Sequence, residues 1–154
     1  MRKIGLFTGV LAVAMMMAAP AMACQPSRGT QEEIAAVASA QQTDMWDKAD
    51  LVFVARIEQS RTKPSASPFG MLEVDLTPLT WLKGQAGPWQ FGLADTGWMM
   101  CGPLPGFDII RGQPSEEFVV FATGDTPAQE TTLMTVSLKA LVEPRALAAL
   151  KAAQ

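Results

Sequence analysis

The tetrapeptide Ala21-Met22-Ala23-Cys24 constrains this chain more than any other stretch of its sequence. It follows a positively charged start at residues 2–3 and an apolar run over residues 4–19, which together are typical of a secretory signal. Small residues at positions 21 and 23 suit a signal peptidase, although the apolar run is also just long enough for a retained membrane anchor. We predict that residues 1–23 are removed, that the protein is exported to a periplasmic or extracellular compartment, and that Cys24 begins the mature chain.

The chemical state predicted for Cys24 depends on the second cysteine of the sequence, Cys101. Two cysteines in an exported chain most often form one disulfide, because oxidising compartments preserve the pair. A loop closed between these positions is worth roughly 4–5 kcal/mol in the chain-entropy model. The alternative is a membrane-anchored lipoprotein in which Cys24 is acylated. Acylation of the sulfur forbids the disulfide, so the two predictions exclude each other.

Composition narrows the possible functions of the mature region, residues 24–154, which has the size of a single domain. The whole chain carries 12 basic and 15 acidic residues, and loss of residues 2–3 makes the mature chain more acidic. Nucleic acid and anionic lipid require basic patches, so we expect no nucleic-acid partner, and contact with a membrane only if Cys24 is lipidated. The sequence contains no histidine, which removes Ser-His-Asp and Cys-His catalysis and most zinc sites. We therefore predict a non-enzymatic protein without a cofactor.

Hydrophobic periodicity and capping signals predict a helix, five strands and a final helix. Thr30 followed by Glu33 forms a capping box at the start of the first helix. Residues 60–69 are rich in Ser and Pro and read as a loop, and Pro78 indicates a bulge or an unpaired strand edge. The predicted strands cover residues 50–58, 71–77, 89–93, 117–122 and 133–138, and the last helix covers residues 143–151, with Leu147 and Leu150 towards the sheet.

Five short strands in a domain of this size favour a mainly β fold, either a barrel or a sandwich. A closed or partly open five-stranded barrel with a helix at each end fits the number of strands best, and closure also protects strand edges.

The sequence indicates catalytic, metal-binding or ligand-binding sites only weakly. The sequence offers a carboxylate pair, Glu116 and Glu117, an acidic run that only partly resembles a calcium loop, and four tryptophans that fit core and rim positions better than a ligand cage.

The ordered set of residues resembles the OB-fold domain of tissue inhibitors of metalloproteinases and netrin-type (NTR) modules. The matching segments are Cys24, Ala49–Arg56, Leu82-Lys83-Gly84, Cys101-Gly102 and Glu116–Ala122. The resemblance implies an OB-fold barrel in which Cys24 is bonded to Cys101 and the final helix packs on the barrel.

The same resemblance implies a function. The α-amino group and carbonyl of Cys24 would chelate the zinc of a target metallopeptidase, and Gln25 would enter its specificity pocket. The predicted function is thus an exported binding module with a protein partner, and the alternative is an envelope lipoprotein with a structural or interaction role.

Overall fold

The computed structural model describes residues 29–64, 71–87, 89–95 and 107–153. These residues form a mainly β fold with one helix near each end of the described chain. Cys24, Gln25 and Cys101 lie outside the described residues, as does the predicted signal segment. The elements are, in chain order, α1 (Gln31–Lys48), β1 (Leu51–Lys63), β2 (Met71–Lys83), β3 (Phe91–Ala94), a 3₁₀ turn (Asp108–Arg111), β4 (Glu117–Ala122), β5 (Thr132–Ser137), a second 3₁₀ turn (Leu138–Ala140) and α2 (Pro144–Ala152).

The capping box predicted at the start of α1 is confirmed. Thr30 Oγ1 accepts a hydrogen bond of 3.2 Å from the Glu33 amide, and Glu33 Oε2 accepts one of 2.7 Å from the Thr30 amide. A cap of this kind is worth about 1 kcal/mol, because it satisfies amide groups that have no partner within the helix. The first two turns need this support, since their side chains are exposed, including those of Ile34 and Val37.

All five strands belong to one antiparallel sheet with the order β3-β2-β1-β4-β5. Three consecutive strands are neighbours, and the fourth returns to lie beside the first, which is the Greek-key arrangement. β1 is therefore a central strand. Its first half pairs with β4 and its whole length pairs with β2.

β1 is buried on both faces over its first half, and its alternating side chains enter two separate hydrophobic clusters. One face meets the 3₁₀ turn that contains Ile109 and Ile110, and the other face meets the helices. Burial of one such side chain contributes about 1.5–3 kcal/mol. The β1 residues of the first cluster are Leu51, Phe53, Ala55 and Ile57, and those of the second are Val52 and Val54.

The sequence predicts a closed or partly open barrel, and the closed form is wrong for the described residues, because the outer strands β3 and β5 form no ladder with each other. The four residues of β3 all pair with β2. The amide of Ala94, at the end of β3, instead donates a 2.6 Å hydrogen bond to the side chain of Gln129 in the β4–β5 connection. Near the middle of β5, Thr135 forms a single parallel bridge with Phe107. Over the described residues the sheet is therefore open between β3 and β5.

Two strands are longer than their sequence patterns indicated. β1 continues to Lys63 through residues that composition assigned to a loop, and β2 continues through Pro78 to Lys83. The bulge predicted near Pro78 is confirmed, because the β1–β2 register shifts there. Pro78 is paired with Ala55 of β1 next to this register shift, and it lies beyond the part of β2 that pairs with β3.

α2 begins at Pro144, close to the predicted start, but the face it buries is different from the predicted one. Ala146 is fully buried and Leu150 packs beside it, whereas Leu147 is 43% exposed. The prediction for Leu147 is therefore wrong. Ala146 allows close approach of the helix to the sheet, and a larger side chain would not fit at that contact.

Candidate binding face

One part of the sheet remains uncovered among the described residues, and it lies on the second half of β1, the first half of β2 and β3. The strand register aligns Gln59, Asp75 and Gly92 in one row, and Arg61, Glu73 and Ala94 in the next. None of these residues belongs to either hydrophobic cluster. We refer to this surface as the polar face; its side chains are those of Gln59, Arg61, Lys63, Glu73, Asp75, Thr77 and Gln90, with Gly92 among them.

Arg61 holds the centre of the polar face. Its guanidinium binds Asp75 through both terminal nitrogens and also donates a 2.8 Å hydrogen bond from Nη2 to Glu73 Oε1. Lys63 forms a further ion pair with Glu73. Hydrogen bonds with Asp75 and then Glu73 raise the pKa of Arg61. Hydrogen bonds from Lys63 and then Arg61 lower the pKa of Glu73, so these interactions favour the charged forms of Arg61 and Glu73.

A groove with a volume of about 530 Å³ lies next to this network. Five polar residues, two apolar residues and one glycine line it: Glu58, Gln59, Asp75, Thr77 and Gln90, then Leu76 and Phe91, and Gly92 of β3. Gln90 Nε2 lies 3.4 Å from Thr77 Oγ1, a long hydrogen bond across the β2–β3 side of the groove. The arrangement presents donors and acceptors on a rigid sheet.

Gly92 leaves space in this groove. A Cβ atom at this position would meet only Glu73 Oε1 at 3.5 Å, Asp75 Oδ1 at 3.7 Å and a backbone oxygen at 3.7 Å, which are ordinary contacts. Its backbone is not in the left-handed region, since only Gly84 and Gly124 have positive φ among the described glycines. A larger residue could therefore be placed at position 92 without backbone strain.

A β-bulge brings Glu58 to the groove. The register skips this residue between Ile57 and Gln59, and bulges of this kind redirect a side chain. A tight turn supports the bulge: the amide of Ser115 donates to the Ile57 carbonyl at 2.8 Å, and the Ile57 amide donates to the Glu116 carbonyl at 3.0 Å. Ser115 has φ of 74°, an uncommon value for a residue with a side chain.

The other carboxylates considered from the sequence do not converge on a site. Asp44 pairs with Lys48, Asp47 pairs with Arg145, and Asp50 accepts a hydrogen bond from the Gly124 amide. Glu116 Oε2 accepts a hydrogen bond from the Gln113 amide. Over the described ranges, no group of three or more His, Cys, Asp or Glu residues could hold a metal ion.

The tryptophans within the described residues occupy structural positions. Trp46 lies between Lys83 and Arg145, with Nζ at 5.6 Å and Cζ at 5.4 Å from the ring centroid. Trp81 packs on Phe53 with ring centroids 4.7 Å apart. Trp89 is half-exposed and borders no cage. They do not form a shared aromatic site.

Sequence reasoning missed the polar face. The only available signal was the pattern of basic residues at positions 61 and 63 and acidic residues at positions 73 and 75, on opposite sides of a predicted loop. Paired as a hairpin, these residues face one another. Because their composition placed residues 60–63 in the predicted loop, the pairing of these residues with β2 was not predicted.

Comparisons with known proteins found no relative. No protein-family model matches the chain, and no curated protein matches it. In the part of the chain that the structure covers, neither helix has the length and apolar character needed to cross a membrane.

Proposed function

We propose that the mature chain is an exported, non-enzymatic binding module built on a partly open OB-type barrel. The observation that carries this proposal is the polar face: a sheet surface with a groove that no described residue covers, whereas the first half of β1 is packed on both faces in the two hydrophobic clusters. A site on strands holds its groups more accurately than a site on loops, which suits recognition. The absence of histidine from the sequence supports binding over acid-base catalysis.

Three observations support an OB-type barrel. The sheet has Greek-key order, and the OB fold is a partly open Greek-key barrel of five strands. Gln129 links the β4–β5 connection to the end of β3, on the side where closure would occur. Phe107 lies beside β5 in a parallel bridge, and the adjacent 3₁₀ turn fills the interior with Ile109.

The Leu82-Lys83-Gly84 segment of the family resemblance has a structural explanation that supports the proposal. Lys83 Nζ donates hydrogen bonds of 2.7 Å to the Trp46 carbonyl and 2.5 Å to the Ala49 carbonyl, at the end of α1. Gly84 lies so close to the Asp50 carbonyl that a Cβ would be 2.5 Å from its oxygen. This segment therefore fixes the junction of helix and barrel.

The protein partner we propose is a metallopeptidase, bound through the mature N-terminus. The α-amino group of Cys24, with a pKa near 8 when unperturbed, and the adjacent carbonyl oxygen can form a five-membered chelate with the zinc of the partner. Gln25 then enters the pocket next to the metal. A disulfide between Cys24 and Cys101 holds this end of the chain against the domain.

A panel of zinc peptidases tests this proposal. The mature protein, purified from an oxidising compartment and with its N-terminus verified by mass spectrometry, should inhibit at least one of them. A variant with an additional N-terminal alanine should not inhibit, because Cys24 then has no free α-amino group. Absence of inhibition by the native N-terminus across the panel would exclude the metallopeptidase partner.

Intact mass separates this function from the alternative of an envelope lipoprotein, which the Ala23-Cys24 junction also permits. A disulfide lowers the mass by two hydrogen atoms, whereas acylation adds the mass of a lipid. A lipid mass on Cys24 would replace the inhibitor proposal with a tethered module.

A further inference from the structure

The carboxylates that line the groove of the polar face lie close to positively charged side chains. Its two carboxylates, Asp75 and Glu58, each have an arginine nearby: Asp75 binds Arg61 directly, and Glu58 Oε1 lies 4.0 Å from Arg56 Nε. The remaining polar side chains of the lining are two amides and a hydroxyl. The groove therefore offers many hydrogen-bonding groups and little uncompensated charge.

We infer that this groove binds a neutral oligosaccharide. The inference rests on the proposed function as a binding module and names a ligand for its polar face. Hydroxyl groups both donate and accept, so they match carboxylate acceptors together with amides that do both. The volume of about 530 Å³ lies within the range of about 300–1,000 Å³ typical of small-ligand sites. Leu76 and Phe91 can contact the apolar carbon faces of sugar rings, whereas a wholly apolar ligand would desolvate the five polar residues of the lining without replacing their hydrogen bonds.

The charge pattern argues against the two charged alternatives. No basic side chain is part of the groove lining, and the neighbouring Arg61 and Lys63 are already paired with carboxylates, so phosphate groups gain no partner here. A basic peptide gains little as well, because Asp75 is neutralised by Arg61 and Glu58 lies near Arg56. A neutral ligand leaves these ion pairs intact.

The polar side chains of the groove are held in place before a ligand arrives. Asp75 is fixed by two nitrogens of Arg61, and Gln90 contacts Thr77 across the strands. Pre-organised groups lose less conformational entropy on binding, which raises affinity. Gly92 keeps the space between them open.

Titration with neutral sugars tests the inference. Maltopentaose, cellopentaose and chitopentaose are added separately to the oxidised mature protein, and backbone amide shifts are followed by NMR. We expect at least one sugar to bind with a Kd below about 1 mM and to shift the amides of Gln90 and Gly92 most. Gly92→Leu should weaken that binding at least tenfold, because its side chain occupies the groove.

Ala148→Leu, on the exposed side of α2, is the matched control and should bind with unchanged affinity. If Gly92→Leu does not fold, as judged by circular dichroism, the combination Thr77→Val and Gln90→Ala should give the same loss. Failure of all three sugars to bind at 10 mM overturns the inference, as does tighter binding of pentalysine or of a heparin pentasaccharide at the same amides. Peptidase inhibition depends on the N-terminus, so either proposal can fail while the other stands.

Discussion

Thr43 of α1 donates a hydrogen bond of 2.7 Å to the buried carboxylate of Glu143, which caps the start of α2. Glu143 also accepts hydrogen bonds from the side chain and the amide of Arg145. Burial raises the pKa of Glu143, but the hydrogen bonds from Arg145 and Thr43 outweigh it, and the net pKa is lowered from the usual 4.5. The carboxylate of Glu143 thus joins the two helices, and the charge of this carboxylate depends on pH.

Replacement of this carboxylate should change both stability and its response to acid. A lowered pKa in the folded state stabilises the domain above the unfolded pKa, and that contribution is lost as the pH falls through the folded pKa. We expect Glu143→Gln to lower the free energy of unfolding by about 1–3 kcal/mol at pH 7. Urea titrations at pH 7 and pH 3.5 should show a smaller acid effect in the variant. Glu130→Gln, at an exposed position, is the control; an equal effect there would contradict the role of Glu143.

Lys83 should contribute to stability through the end of α1. Lys83→Met keeps an apolar chain of similar length but removes the ammonium group that binds the Trp46 and Ala49 carbonyls. Hydrogen bonds to charged groups contribute about 1.5–3 kcal/mol, so a loss of about 2 kcal/mol is expected in urea unfolding. Lys48→Met is the matched control, because its exposed pair with Asp44 is worth only about 0.3–0.5 kcal/mol. Equal losses in the two variants would refute the assignment.

Replacement by alanine should destabilise the protein to different extents at the two glycines with positive φ. Gly124 has φ of 74° and no atom within 4 Å of an added Cβ, so Gly124→Ala should cost only the left-handed backbone term, about 1–2 kcal/mol. Gly84 has φ of 66°, and the added Cβ would also lie 2.5 Å from the Asp50 carbonyl oxygen. Gly84→Ala should therefore cost more than Gly124→Ala by at least about 1 kcal/mol in thermal or urea unfolding. A smaller loss at position 84 would show that the close approach to Asp50 is relaxed at no cost.

Ser115→Gly should stabilise the protein. Ser115 occupies a left-handed conformation that glycine adopts without a steric penalty, and it follows Pro114 in a turn whose third position favours glycine. We expect a gain of about 1 kcal/mol in urea unfolding. Ser60→Gly, inside β1, provides the contrast, because glycine weakens a strand there. A loss of stability at position 115 would mean that the serine hydroxyl has a role of its own.

Local signals in the sequence were sufficient to predict the elements that depend mainly on residues close together in the chain. Thr30 and Glu33 cap α1 through groups three residues apart, and β4 is a short apolar run whose bounds are those predicted. The extent of β1 was not predictable in this way. Its last residues are held by cross-strand ion pairs, such as Arg61 with Glu73, which lie 12 residues apart in sequence.

Tertiary contacts decided the remaining features. Leu147 and Ala146 are neighbours in α2, and the hydrophobic pattern favoured the leucine, but the narrow contact with the sheet selects the alanine. Closure of the sheet depends on whether β3 pairs with β5. At the end of β3, the amide of Ala94 instead donates a hydrogen bond to the side chain of Gln129. The groove depends on the register of three strands and on the bulge at Glu58, neither of which a periodic pattern specifies.

Gln42 of α1 accepts a hydrogen bond from the Glu143 amide, across 101 positions of the chain. The first helix of the domain therefore gains this contact only when the start of the final helix is present. Because this contact joins distant positions of the chain, we expect the junction between α1 and the start of α2 to form late in folding.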